Sequence, residues 1–472
     1  MAKAILIYNA SLLDESMDTP GAVLVVDGKI RSVFQGFFTT AETVSQFAKA
    51  VLKEDGYGED AQVELFDARG LTLTPAFIDM HVHMRYPGQT AKEDLNSGLH
   101  AAISGGFGTV VAMPNTNPVV SSIDMAMKIE REAAALGLTH LFQVVSITKD
   151  FDGNTTTHLD NLDKKYIPVI SEDGRDVLSS AVMLEGMKKA ASKGIIVSCH
   201  CEDPTLAATA KPYRTKALQI MRDNNIDLWG EPLDEDSDNE EWRDDVCENL
   251  AAANELLAEA EDIATARNIS LAKEAGCHIH LAHVSTARSL EYIRQAKAEK
   301  KQKITCEVTP HHLMLDGDAD KNYLFSLVNP PLRSSLDVGA VIRAITDGTA
   351  DVISTDHAPH TMEDKQNGAP GFTGIETSYG VCNTVLVGNK FITPSRLSAL
   401  MSANPARILG LQKGVLKTGF DADLTLVDPD EEWTVNPDEF YSKGKYTPIK
   451  EHKLQGRVKA VFIDGKLVFE RH

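Results

Sequence analysis

Between residues 76 and 354 the chain repeats one unit: a short apolar run of strand length, then a stretch with apolar residues at helical spacing. Eight such runs stand out, at 76–81, 109–113, 141–146, 167–171, 195–199, 278–284, 304–308 and 351–354. Helical patterns follow most of them, among them 124–136, 180–192 and 288–300. Strands that alternate with helices pair in parallel, because each helix carries the chain back to the same end of the sheet. Eight of them predict an α/β protein built on a (β/α)8 barrel. In that architecture the chemistry gathers at the C-terminal ends of the strands.

The flanks read differently. Residues 4–8, 22–26 and 62–66 are short β runs separated by turns, with Asp27-Gly28 as a hairpin signal. Residues 41–60 look like a helix and a polar loop inserted among them. The far C-terminus has the same character at 423–427, 458–462 and 467–469, with Asp464-Gly465 as a second turn. The expected division is a small β-sandwich-like domain from both termini (1–72 plus 415–472) and a barrel over 73–414. An acidic insertion near 211–262 interrupts the barrel pattern. Its charged part, 228–242, reads as a solvated surface; the alternative is a subunit or partner contact, hinted at by Trp229 and Trp242.

With 47 Lys+Arg against 68 Asp+Glu, the net charge of −21 repels nucleic acid and anionic membrane. It also repels an anionic substrate, unless local positive groups overcome it. No run is long and apolar enough to read as a membrane span, and the first residues read as a β-strand rather than a signal peptide. The 6 cysteines form no CxxC pair and several fall inside strands, which fits a reduced, cytoplasmic protein.

The strand ends carry the chemistry. The first ends in His81 and His83, two residues apart and so on one face, with Arg85 beyond. The second ends at Pro114-Asn115-Thr116-Asn117 and the fourth at Glu172-Asp173-Gly174. The fifth ends in His200, the sixth in His283, and the eighth in Asp356-His357-Ala358-Pro359-His360. One histidine alone is an ordinary core or surface residue. Ligand-type side chains at five strand ends predict a metal centre. The set suits two zinc-like ions, His81, His83 and Asp356 for one, His200 and His283 for the other. Two cations side by side repel and need an anionic bridge, for which Asp173 is the expected carboxylate and Glu172 the alternative. Such a pair lowers the pKa of water and polarises a carbonyl, with Asp356 as the catalytic proton carrier. Arg85 can hold an anionic substrate beside it.

Other candidates take plainer readings. His278 and His280 belong to the entry and interior of the sixth strand, and His311 and His312 to a loop after the seventh. Cys199 and Cys201 alternate away from His200. Gly105-Gly106-Phe107-Gly108 is a turn, because no helix N-terminus with a lysine follows it.

Taken together, His81-Val82-His83-Met84-Arg85, Met113-Pro114-Asn115-Thr116-Asn117-Pro118, Ser171-Glu172-Asp173-Gly174, His200-Cys201-Glu202 and His283-Val284-Ser285-Thr286 resemble the type I dihydroorotases of the amidohydrolase superfamily. So do Asn329-Pro330-Pro331-Leu332-Arg333, Asp356-His357-Ala358-Pro359-His360 and Gly374-Ile375-Glu376-Thr377. The likeness covers nearly the whole chain. It implies reversible cyclisation of N-carbamoyl-L-aspartate to L-dihydroorotate in pyrimidine synthesis. His81, His83, Asp173, His200, His283 and Asp356 match the metal ligands, and Asp356 also the general acid/base. Arg85, Asn115 and His360 match the groups that hold the substrate carboxylate, Asn329 a ring-edge contact, and Pro370-Gly371 backbone contacts to the ring. Two zinc ions, a homodimer and a contact with aspartate transcarbamoylase come with the resemblance. Tyr86 and Glu172 depart from the usual pattern, and Tyr86 is expected to alter contacts around the site rather than the reaction. Lys164 and Lys165 lie at the start of the fourth strand, the wrong end for a carboxylated lysine ligand. Related hydantoinases, dihydropyrimidinases and allantoinases share the barrel and metals; the carboxylate clamp argues against them. A non-catalytic scaffold is the remaining alternative, and six filled ligand positions argue against it.

Overall fold

The computed structural model describes residues 4–38, 40–54, 56–57, 62–231, 241–318 and 325–471. The barrel strands are Phe77–Val82, Phe107–Ala112, His140–Gln143 continued by Val145–Ser146, Val169–Ser171, Ile196–Cys199, His278–Leu281, Ile304–Val308 and Val352–Ile353. All neighbours pair in parallel. The third strand breaks at Val144: its first half pairs with the second strand, its last two residues with the fourth. A parallel bridge between Val82 and His357 closes the circuit, and the His83 N–H donates to His357 O at 2.8 Å. The first, second and fifth strands are buried at every residue, as a parallel sheet covered on both faces requires.

Helices that follow the strands start on side-chain caps. Asp94, Ser122, Ser179, Asp203, Thr286 and Ser334 each accept from a backbone N–H in the first turn. These groups satisfy amides the helix leaves free and fix where each helix begins. In Pro204–Asp223 the first of two prolines, Pro204, occupies the first position, where no N–H is needed, and the second, Pro212, lies inside the helix.

Eight further strands form the small domain. Ala4–Leu13, Asp18–Val26, Lys29–Gln35, Val63–Asp67 and Thr72–Pro75 come from the N-terminal side; Leu424–Thr434, Lys453–Ile463 and Lys466–Glu470 from the C-terminal side. Thr72–Pro75 pairs antiparallel with Leu424–Thr434 and so stitches the two ends together. The sheet curls over an apolar core of Ile7, Leu12, Val23, Leu424 and Phe462, and Phe66 meets Phe462 edge-on at 5.0 Å. The helix Ala41–Glu54 covers its other face through Val44, Ala48 and Leu52.

The insertion folds as two antiparallel helices, Pro204–Asp223 and Glu241–Ala275. Ala217 and Met221 pack with Trp242, Val246 and Leu250, and Ala210 with Ala253 and Leu257. Trp242 is buried against Phe325, and Trp229 lies on Tyr446 and donates to Thr447 O at 3.3 Å. The two indoles therefore mark internal packing, which corrects the hint of a partner contact. The acidic residues 232–240 lie outside the described residues. Among the described residues no helix is long and apolar enough to cross a membrane.

Candidate active site

Alternation along the first strand sends Asp79, His81 and His83 into the barrel. At the rim the backbone turns through left-handed conformations at Arg85 (φ 53°), Cys201 (φ 54°), His283 (φ 32°) and Asp356 (φ 49°). These turns bring four histidines and two aspartates together. Asp173 Oδ1 lies 3.2 Å from His81 Nε2, 3.3 Å from His200 Nδ1 and 3.8 Å from His283 Nε2. Its other oxygen is 3.5 Å from His83 Nε2. Asp356 Oδ1 is 3.1 Å from His83 Nε2 and 3.7 Å from His81 Nε2. His200 Nδ1 and His283 Nε2 face each other at 2.9 Å. Two overlapping triads able to hold an ion result: His81, His83 and Asp356, and His81, Asp173 and His283, every member buried. Glu172 turns the other way, and its carboxyl accepts from the Thr148 N–H at 2.8 Å and from the Thr148 hydroxyl.

The donor set fits divalent ions. His81 Nε2 and Asp173 Oδ1 are buried and have no hydrogen-bond partner among the described residues, although they lie 3.2 Å apart. Buried polar atoms without partners are rare, and imidazole nitrogens with carboxylate oxygens are what zinc-like ions take. The outer hydrogen bonds fix the tautomers needed. His81 Nδ1–H donates to Glu307 Oε1 at 2.9 Å and His83 Nδ1–H to Asn115 Oδ1 at 2.9 Å, leaving both Nε2 lone pairs facing inward. Burial opposes charge on all these groups. Even so, His81, His200 and His283 hold the Asp173 carboxyl well below its ordinary pKa. Asp173 and Glu307 in turn outweigh burial at His81 and push its pKa well up.

Arg85 and His360, the groups expected to hold an anion, lie next to this cluster. Arg85 Nε donates to Pro359 O at 3.1 Å, and its Nη2 is 3.0 Å from His360 Nε2. Lys92 Nζ lies 3.3 Å from His360 Nδ1, and His360 Nε2 is also 3.0 Å from Pro370 O. Burial, then Arg85, Lys92 and Lys365, push the His360 pKa down to about 2. A guanidinium beside an imidazole suits a carboxylate. Asn115, expected there too, has both ends of its amide engaged with ligand-type side chains: Oδ1 with His83, and Nδ2 with Asp173 Oδ2 at 3.0 Å. Asn329 Oδ1 accepts from Arg214 at 2.6 Å. The Gly371 N–H donates to Leu327 O at 2.9 Å, and Lys365 Nζ binds the carbonyls of Leu327, Ala369 and Gly371 at 3.1, 2.8 and 2.8 Å. Tyr86 points outward and donates to Glu132 at 2.8 Å.

Several of these residues escaped the sequence reading. Glu307 is fully buried; besides His81 it takes His280 Nε2 at 3.0 Å and the Ser354 hydroxyl at 2.6 Å. Asp79 takes the Thr355 N–H at 3.1 Å and hydroxyl at 2.5 Å and the His81 N–H at 3.1 Å, and burial raises its pKa to about 7. Both had a signal, a carboxylate inside an apolar strand, which is costly unless it has partners. Arg214 and Lys365 had none. His280 and His312 are occupied by hydrogen bonds around the site, His312 with Thr309 Oγ1 at 2.7 Å and Pro331 O at 3.0 Å.

A parallel eight-stranded barrel whose rim gathers histidines and aspartates defines a hydrolase of the amidohydrolase type. The model of the amidohydrolase family matches residues 72–468, and the chain belongs to that family. Within it the chain lies beside dihydroorotases. It is 36% identical to the dihydroorotase of Clostridium botulinum (strain Eklund 17B / Type B) over 468 residues, 99% of this chain and 100% of that one. It is 36% identical to the dihydroorotase of Geobacter metallireducens over 460 residues, 95% of this chain and 100% of that one. Among solved structures, an L-hydantoinase (dihydropyrimidinase) from Arthrobacter aurescens superposes with a TM-score of 0.77 at 24% identity, over 100% of this chain and 96% of that one. At that identity the likeness speaks for the fold.

Proposed function

We propose that the protein is a dihydroorotase, which interconverts N-carbamoyl-L-aspartate and L-dihydroorotate plus water in pyrimidine synthesis. The observation that carries this reading is the Arg85 guanidinium, in contact with His360, beside the buried cluster of four histidines and two aspartates. A carboxylate-bearing cyclic amide needs both. Dihydroorotase relatives at 36% identity over nearly full length support the same reading.

His81, His83, Asp173, His200, His283 and Asp356 would hold two zinc ions, which when bound would supply an activated water and a polarised ring carbonyl. The other roles belong to the chain. In ring opening Asp356 accepts the proton of the attacking water and delivers it to the departing ring nitrogen; in ring closure the proton runs the opposite way. The low pKa of Asp356, held down against burial by His83, His81 and His283, keeps it ionised, the form that can take up a proton. Arg85 and His360, with Asn115, hold the carboxylate common to both substrates. Asn329 and the backbone at Pro370 and Gly371 border the ring. The same reading includes a cytoplasmic homodimer able to contact aspartate transcarbamoylase, and a composite β domain of 1–72 plus 415–472 on a barrel of 73–414.

The test is metal content measured with dihydroorotate hydrolysis on the purified protein, beside a panel of 5-substituted hydantoins. Dihydroorotate turnover that follows zinc content is expected. Hydantoin turnover without dihydroorotate turnover would replace the reading with a hydantoinase. A stable, metal-free, inactive protein would replace it with a scaffold.

A further inference from the structure

The helix Pro204–Asp223, which belongs to the insertion after the fifth strand, reaches both segments that border the proposed ring pocket. Leu218 lies against Gly368, where an added Cβ would come within 2.3 Å of its Cδ1. Arg222 Nη2 donates to Gln366 O at 3.0 Å. On the other segment, Arg214 donates from Nη1 to Asn329 Oδ1 at 2.6 Å and from Nη2 to Val328 O at 3.1 Å. Lys365 ties the two segments to each other through Leu327 O, Ala369 O and Gly371 O. The helix and the lysine thus fasten the two walls from above.

Arg214 does more than fasten. A guanidinium has donors and no acceptor, so the atom of Asn329 that faces it must be the amide oxygen. The Asn329 Nδ2 hydrogens are then turned away from Arg214. Without that donor-only partner nothing on this side would decide between the two orientations of the amide, which exchange its oxygen and its NH2 group. Glu202, two residues beyond His200, lies close enough to favour the charged form of Arg214 against burial and the repulsion of Arg333.

We propose that Arg214 is a positioning residue that locks Asn329 as a hydrogen-bond donor, so that this wall of the pocket selects a ring edge carrying a carbonyl oxygen. The inference rests on the dihydroorotase reading. Its substrate class is a cyclic ureide whose acceptor oxygen meets Asn329. An analogue with a poor acceptor at that edge, such as a thiocarbonyl ring, loses this contact.

The experiment is a double-mutant cycle with Arg214→Met and Asn329→Ala in the zinc-loaded full chain, with kcat and KM in both directions, metal content and melting temperature. Arg214→Met should raise KM about tenfold, the loss expected when a charged group no longer orients a hydrogen bond. Within the same variant kcat should stay within about threefold and zinc content should equal that of the wild type. In the Asn329→Ala background Arg214→Met should add little, because both changes remove one contact. Arg214→Lys, which keeps a donor-only group, should recover part of the loss; Arg214→Gln, whose amide does not force the orientation of Asn329, carries the test if Arg214→Met does not fold. Unchanged KM in Arg214→Met, or in Arg214→Gln where only that variant folds, would overturn the proposal. So would full additivity with Asn329→Ala. Failure of the wild-type chain to turn over dihydroorotate would instead remove the reading beneath it.

Discussion

The barrel rim and the small composite sheet both contain non-glycine residues in left-handed backbone conformations, and they use them differently. In the small domain these include Asn9, Asp27, Arg69 and Asp464, with φ of 55°, 48°, 54° and 49°; the last three each precede a glycine in a turn between strands. At the rim the same region is taken by Arg85, Cys201, His283 and Asp356, around the buried cluster of histidines and aspartates. The rim also holds ligand-type atoms buried without hydrogen-bond partners among the described residues, His81 Nε2 and Asp173 Oδ1, while the sheet packs on an apolar cluster. The sheet is built for stability. The rim accepts strain and buried charge to aim particular side chains at one point.

That contrast can be broken by substitution. The largest effect expected is from Asp356→Asn, which should lower kcat by about 10²–10⁴-fold, the usual worth of a positioned proton carrier. The melting temperature should not fall; near-normal turnover would take Asp356 out of proton transfer. Phe462→Ala should do the reverse. It should remove about 3–5 kcal/mol of folding stability, as truncation of a buried aromatic does, and leave kcat per folded molecule unchanged. A matching fall in kcat would show that sheet and rim are not separable.

Arg85→Ala should raise KM in both directions by about 10–100-fold, the loss of a charged hydrogen bond, with little change in zinc content. Unaltered KM would remove Arg85 from the anion site. Glu307→Gln keeps an acceptor for His81 but not its charge. Zinc affinity, read by competition with a chelator, should fall about tenfold, at the low end for such outer partners. No change would make Glu307 a structural residue only.

The smallest effect is one of pH. Burial raises the Glu172 pKa to about 7. Between its ordinary value, about 4.3, and 7 the folded chain therefore holds more protons than the unfolded one, and stability falls as pH rises through that window. Glu172→Gln has no proton to lose, so melting curves at pH 5 and pH 8 should differ less than in the wild type. An equal difference would mean that Glu172 does not titrate in this way.

Much of this was legible in the sequence. The eight strands appear where apolar runs predicted them, because strands buried on both faces cannot be disguised. The ligand-type residues were legible because they stand at strand ends. The break of the third strand at Val144 was not, since 141–146 reads as one run. Nor was the insertion's share in the site: Arg214 sits in a helix with no local mark of function, and its partner Asn329 is 115 residues away.

By itself the sequence determined the barrel, the composite sheet and the chemical type of each rim residue, since periodicity and turn chemistry are local. Only the tertiary structure decided which of the neighbours Glu172 and Asp173 faces the histidines, and which nitrogen of His81 is free to bind. Those choices depend on hydrogen bonds to Thr148 and Glu307, and the second of these spans 226 residues. A side chain's type is written in the chain; the direction in which its lone pair points is fixed by partners that only folding brings near.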